Sequence, residues 1–435
     1  MRVDSVISAR KGYGLDSTVI LGGGVTGLCS GYERKRTIYE GLHLSGGLCA
    51  TYYLDSHGKT DRKRSYRFEK GGGHWIFGND EDLLGRVKSL SPVKKYSRRA
   101  SVYFPDLDLY VPYPLQNHAH IFPKNIRKKI QEEMLEPLDK KVPVILKEWL
   151  IYNFGRTLCS LFFLPFHDLY TAGLTGRITI QDLFKSPSNR AIILQGLNGK
   201  TPPIGYNTTF VYPKQGLDHL MGKLAGQCDI RFNKKAVSID RLKKKIFFND
   251  GSHAAYGKLI STIPLNELVK LCTLKEFNVP DPHTSVLVFN IGAQRGAKCP
   301  KDHWVYVPGS QSGFHRLGFY SNVDTSFLPE VKQQKDLVSI YVEISFLPND
   351  KPNAQRLVQL EKQIIEELKG WKYIKEAEVV SSTWINHAYT WNFPGSQWKD
   401  ESMAYLKNHG IYSIGRYGAW KFQGILDSMK DGFLS

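Results

Sequence analysis

The stretch that most constrains this chain runs from Ser17 to Tyr53. It opens on STVIL, an apolar-rich run that reads as a buried parallel strand. Gly22-Gly23-Gly24-Val25-Thr26-Gly27 follows and fits G-x-G-x-x-G, with Gly22, Gly24 and Gly27 in the fixed places. Gly22 permits the tight turn out of the strand. Gly24 lets a pyrophosphate approach the backbone, and Gly27 lets the following helix pack closely. Phosphates would face the free N–H groups and positive end of that helix, beside Val25 and Thr26. A second apolar pair, Ile38-Tyr39, leads to Glu40, a carboxylate placed to accept hydrogen bonds from an adenosine ribose. Alone, the glycine pattern recurs in unrelated turns; its place between a strand and a helix, with an acid at the next strand end, gives it weight. Glu40 lies 16 positions after Gly24, against about 20 in the usual spacing, so the helix expected over Leu28 to Arg36 is about one turn short, or the strand begins early.

Six residues past Glu40 stands a second pair, Gly46-Gly47, followed by Leu48-Cys49-Ala50-Thr51. An acid followed by a double glycine at this distance resembles the extended dinucleotide fingerprint of two-domain flavoproteins. That resemblance implies FAD, rather than NAD, as the tightly held nucleotide.

At 435 residues and 41% hydrophobic, the chain can bury a large core and divide into two or three domains. No run approaches 18 apolar residues, so no membrane span is expected. The first 16 residues carry Arg2, Arg10 and Lys11 without an apolar core, unlike a secretory signal. The six cysteines are scattered without a C-x-x-C, which favours free thiols in a reducing cytoplasm over a disulfide or zinc framework. A formal net charge of +18 favours anionic ligands, but the basic runs are short and dispersed. None belongs to a nucleic-acid module, and solvated lysines are the expectation.

Along the chain, Tyr66 to Glu69 reads as a short strand feeding Gly71-Gly72-Gly73-His74, where backbone passes close to something bulky. YVPYPLQN, from Tyr110 to Asn117, carries two prolines and reads as an extended edge. Ile126 to Lys140 and Pro143 to Pro165 read as helices. Strand-like runs recur from Phe210 to Ile263, with a hairpin signal at Asn249-Asp250-Gly251, and again from Ser285 to Phe346. Ala354 to Lys369 is an amphipathic helix with Leu357, Leu360, Ile364 and Leu368 on one face. The expected fold is α/β: a Rossmann-like FAD-binding domain with an inserted helical region and a second, mainly β substrate domain. The expected boundaries are 17–78, 205–264 and 401–435 for the FAD-binding parts, 79–204 for a mainly helical insertion, and 265–400 for the substrate sheet and helix.

The order of GGGVTG, the Gly46-Gly47 loop, GGGHWIF, YVPYPLQN, FVYPKQGLDHL, KLISTIP, WVYVP with FHRLGFYSN, and GRYGAW resembles a known family. It is the UDP-galactopyranose mutase branch of the amine oxidase and protoporphyrinogen oxidase flavoprotein superfamily. The resemblance implies a mutase that interconverts pyranose and furanose forms of a nucleotide sugar. In it the N5 of reduced FAD acts as nucleophile at the anomeric carbon, and NAD(P)H is the reductant. It implies flavin contacts for Gly73, His74, Arg99, Gly415 and Arg416, beside Gly46, Gly47 and Leu48. It implies substrate contacts for Tyr113, Gln116, Asn117, Tyr306, Arg316 and Tyr389, with His74 and Arg316 catalytic. Arg316 suits a diphosphate, because guanidinium donates two hydrogen bonds and keeps its charge. No metal site is expected, and no subunit contact is legible.

The chain departs from that family in four places. Val323 follows Ser321-Asn322 where a phosphate-contacting tyrosine is expected, and Phe422 replaces a second one. The family's tryptophan is missing from Pro165 to Tyr170, and Lys185 is the nearest candidate for a second diphosphate cation, with Arg190 close by. These departures keep an FAD-dependent oxidoreductase of the amine oxidase or protoporphyrinogen oxidase type open as the alternative.

Overall fold

The computed structural model describes residues 17–180, 189–200, 208–332 and 334–435. Five short strands form a parallel sheet in the order Ile411–Ser413, Lys258–Ser261, Thr18–Leu21, Thr37–Tyr39, Asp229–Arg231. Ile20, Ile38, Leu259, Ile260 and Ile411 are fully buried, as strands covered on both faces require. Three stretches far apart in sequence thus build one parallel sheet.

The helix after the first strand is Val25–Gly31, not the expected Leu28 to Arg36. It begins at once after Gly24 and ends where the backbone of Arg34 and Arg36 turns back on Gly31 and Arg34. Seven residues of helix account for the short spacing to Glu40. The last helix, Ile425–Leu434, packs on it so closely that a Cβ on Gly432 would lie 2.4 Å from the Thr26 carbonyl oxygen. Arg34 and Arg36 donate to the backbone carbonyl of Ser435, at 2.8 and 3.0 Å, which satisfies one of the helix's orphan acceptors.

A seven-stranded sheet faces this unit, ordered Ile374–Thr390, His283–Arg295, Leu337–Phe346, Arg316–Phe319, Trp304–Tyr306, Ala100–Phe104, Leu109–Pro112. The amphipathic helix is Ala354–Gly370, and it buries Leu360, Ile364 and Leu368 against Leu287, Phe289 and Ile340 of that sheet. The hairpin signal is realised between Lys245–Phe248 and His253–Ala255.

Within the stretch from 79 to 204, expected to be mainly helical, residues 93–112 carry three strands. Val93–Ser97 pairs with Thr209–Pro213, and Ala100–Phe104 and Leu109–Pro112 complete the seven-stranded sheet. Val93–Ser97 and Ala100–Phe104 find partners roughly a hundred to two hundred residues downstream, which no local pattern announces, while Leu109–Pro112 pairs back on Ala100–Phe104 as a local hairpin. Helices follow at Lys124–Leu135, Leu146–Leu158, Leu164–Tyr170 and Arg190–Leu197 around Trp149, Leu150, Phe154 and Phe163. YVPYPLQN is extended only to Pro112, at the sheet edge as expected; Leu115–Ile121 winds into a 3₁₀ helix, with Asn117 N donating to the Pro114 carbonyl. Among the described residues no helix is long and apolar enough to cross a membrane. None of the six cysteines is in a disulfide.

Candidate active site

A cleft of about 640 Å³ runs from the carboxyl ends of the parallel strands to the seven-stranded sheet. Gly22, Glu40, Thr262 and Arg416, which line it, each lie just beyond the end of a different parallel strand. Open α/β sheets bind ligands at that edge.

The glycine loop has the geometry its sequence predicts. Gly22 has φ +102°, a conformation open to glycine, and a Cβ there would lie 2.5 Å from Thr262 Oγ1. A Cβ on Gly27 would stand 1.9 Å from the Gly22 carbonyl oxygen, so Gly27 is a packing position beneath the cleft. A Cβ on Gly24 would meet nothing within 4 Å, because that position looks into open cleft. Gly46 N donates to the Gly23 carbonyl at 2.8 Å, which stitches the second glycine loop to the first and places Gly47 and Leu48 in the lining. The Glu40 carboxylate accepts from Gly23 N at 2.6 Å and Leu42 N at 2.8 Å, so it is fixed at the rim. Val25 and Thr26 line the cleft beside it.

The Gly71–Gly73 loop is pressed onto the seven-stranded sheet. A Cβ on Gly73 would overlap the Tyr341 ring, and one on Gly72 would lie 2.9 Å from Glu343 Oε1. His74 therefore projects into the cleft. Burial, with Arg416 nearby, lowers its pKa to about 4, so the imidazole is neutral at pH 7. Arg416 ties the carboxyl-terminal loop to the sheet, donating to the Gln423 carbonyl at 2.7 Å and the Ala388 carbonyl at 3.0 Å. Its guanidinium lies 4.7 Å from the Phe422 ring centroid and 5.5 Å from that of Tyr389. Gly415, at φ +78°, packs on Thr26 and stays out of the lining.

Arg316 lies opposite Tyr306 in one strand pair and opposite Glu343 in the next. Its Nε donates to Glu343 Oε2 at 2.9 Å and its Nη2 to both carboxylate oxygens at 2.7 and 2.6 Å. Arg316 and, after it, His315 hold the Glu343 pKa at about 2 against its burial. Tyr113 packs on Tyr306 with ring centroids 4.8 Å apart, and Tyr389 on Tyr170 at 4.5 Å. Phe166 and Tyr170, from the Leu164–Tyr170 helix, line the wall beside Tyr306 and Tyr389.

The structure thus gathers Tyr113, Tyr306, Arg316 and Tyr389 with His74, Arg416 and the glycine loops in one cleft. It does not bring Arg99 there. That guanidinium points outward to the Lys301 and Asn322 carbonyls, and its neighbour Arg98 lines the cleft instead. Gln116 and Asn117 are buried in the 3₁₀ helix, their backbones against Gly196, and are not part of the lining. Lys185 lies outside the described residues. Sequence reasoning missed Glu343, His315, Phe166, Tyr170 and Tyr417. His315 and Tyr417 lie inside FHRLGFYSN and GRYGAW, and Glu343 is the lone acid in the run LVSIYVEISF.

Among the described residues no group of three or more His, Cys, Asp or Glu is placed to hold a metal. The residues fit a flavin dinucleotide: the open approach over Gly24 suits a pyrophosphate, Glu40 a ribose, and the space flanked by His74 and Arg416 a flat ring system.

The family of flavin-containing amine oxidoreductases matches the chain over residues 28–295. A crystal structure of reduced UDP-galactopyranose mutase superposes with a TM-score of 0.84 at 22% identity, covering 96% of this chain and 94% of that one. A protein provisionally named protoporphyrinogen oxidase, from Exiguobacterium sp. 255-15, superposes at 0.71 with 16% identity, covering 97% and 98%. A fatty acid isomerase from P. acnes that makes CLA follows at 0.60 with 13% identity, covering 97% and 98%.

Proposed function

The chain belongs to the family of flavin-containing amine oxidoreductases, and from that premise we propose that it is a flavin-dependent mutase interconverting pyranose and furanose forms of a nucleotide-linked sugar. The observation that carries this reading is Arg316, clamped side-on by Glu343 at the cleft wall between Tyr306 and Tyr389. The similarity in fold to the mutase structure supports it.

The glycine loops and Glu40 hold the dinucleotide, and His74 and Arg416 border its ring. When bound and reduced, the flavin supplies a nucleophile for the anomeric carbon, and NAD(P)H is the reductant we assign. Arg316 holds the diphosphate as the bond from its oxygen to the anomeric carbon breaks and later reforms. A guanidinium already anchored needs no reorganisation to do so. Tyr306 and Tyr389 donate hydrogen bonds to the same group, and Tyr113 packs at a tilt against Tyr306. Neutral His74 can accept or donate one hydrogen bond without adding charge beside the ring. Lys185 is kept as a candidate second cation.

An oxidoreductase acting on an amine is the second reading, favoured by Phe422, which offers Arg416 a ring face where a tyrosine would add a hydroxyl. Dithionite-reduced protein incubated with UDP-galactose and resolved by anion-exchange chromatography separates the two. A furanose product supports the mutase. No product, together with bleaching of the oxidised flavin by an amine, selects the oxidoreductase.

A further inference from the structure

Glu343 does two things to Arg316 at once. It clamps the guanidinium through Nε and Nη2, and it sets a full negative charge against it in a site from which water is largely excluded: Glu343 is 2% exposed. It also touches the loop that carries His74, because Gly72 leaves room for Oε1 where a Cβ would lie 2.9 Å away. A buried carboxylate in a strand that is otherwise apolar is costly unless its charge is used. His315 Nε2, 3.5 Å from Oε2 of the same carboxylate, adds a second neighbour.

We propose that Glu343 is a positioning residue that fixes the aim of Arg316 and damps its charge, so that an anionic group is held by direction and not by net attraction, and can leave and return within one turnover. This rests on the nucleotide-sugar reading of the cleft. The Nη1 edge of Arg316, which donates to no group among the described residues, is the edge turned to that anion. A fully charged, freely rotating guanidinium would bind a diphosphate more tightly but in several poses. The reacting bond needs one pose, and small misplacements are expensive in rate.

The test uses flavin-loaded wild type, Glu343→Gln, Glu343→Ala and Arg316→Ala. UDP binding to the reduced proteins is read by calorimetry at low and high salt, and turnover of UDP-galactose by chromatography. Glu343→Gln keeps the shape and loses the charge. It is expected to bind UDP as tightly as wild type or up to about tenfold tighter, with a steeper salt dependence, while turnover falls by tenfold or more. Glu343→Ala is expected to lose turnover further, and Arg316→Ala to lose UDP binding. Both Glu343 variants should keep their flavin spectrum. Weaker UDP binding in Glu343→Gln in step with turnover, or loss of its flavin, would show a role in folding only and overturn the proposal. Unchanged turnover would overturn it too. Wild type that does not bind UDP at all would overturn the nucleotide-sugar reading and this inference with it, an outcome distinct from the others.

Discussion

Gly24→Ala and Gly27→Ala differ by three positions and should fail in opposite ways. At Gly27 an added Cβ would sit 1.9 Å from the Gly22 carbonyl oxygen, against a closest normal carbon–oxygen approach of roughly 3.3 Å. The shortfall of about 1.4 Å is backbone against backbone, so no side chain can yield. Strand and helix must part, at a cost of about 1–3 kcal/mol or more. At Gly24 the added methyl meets no protein atom within 4 Å, and φ −76° with ψ −173° suits alanine. Alanine is a poorer helix cap than glycine by several tenths of a kcal/mol, but it restricts the unfolded chain by about as much, so stability changes by no more than about 0.5 kcal/mol. The methyl does stand where a pyrophosphate would approach, and flavin affinity should fall about tenfold or more, about 1.4 kcal/mol. The assay is a thermal melt of each apoprotein, with flavin content by absorbance after desalting. Gly24→Ala is expected to melt with wild type and lose flavin; Gly27→Ala is expected to melt early. Full flavin retention in Gly24→Ala would refute the pyrophosphate cradle.

Three further outcomes follow from the buried groups. Glu69 is fully buried, and burial pushes its carboxyl to about 7 despite Arg67 and the donors Tyr212 and Thr51. The fold therefore holds a proton there that the unfolded chain has released. Stability is lost as pH rises from about 4.5 to 7, by up to about 3 kcal/mol, and Glu69→Gln should flatten that slope in melts from pH 5 to 8. His283 and His387 stack with centroids 4.2 Å apart, and burial lowers them to about 4 and 3. The unfolded chain takes up protons first, so stability is present above about pH 6.5 and lost as pH falls toward 4. His387→Phe, which keeps the stack, should melt with a shallower acid limb. Phe422→Tyr should tighten UDP binding about fivefold by one added hydrogen bond of about 1 kcal/mol, read by calorimetry; no change would place the diphosphate elsewhere.

The nucleotide half of the fold was legible because its signals are local. A strand, three glycines, a short helix and an acid follow in one run, and GGGH marks the loop that presents His74. What was hidden depends on distant pairing. Val93–Ser97 and Ala100–Phe104 join sheets because Lys94 meets Tyr212 and Ala100 meets Trp304. Arg98 and Arg99 show how little decides a site. Consecutive residues in extended backbone face opposite ways, so one arginine enters the cleft and the next grips the Lys301 carbonyl. Glu343 could not be tied to Arg316 until the strand pairing set them opposite each other, 27 positions apart. Gln116 and Asn117 lie outside the lining because the chain coils directly after Pro114 instead of running on as an edge.

The proposed function requires one cleft to take both a flavin and a nucleotide sugar. The most direct measurement is the absorbance spectrum of the purified protein, oxidised and dithionite-reduced, titrated with UDP-galactose, with galactose and with a diamine. Flavin bands are expected, with a saturable perturbation of the reduced spectrum by UDP-galactose that galactose does not produce and Arg316→Ala abolishes. Flavin bands that respond to the diamine and ignore UDP-galactose would contradict the mutase reading, and a protein that binds no flavin would contradict the account as a whole.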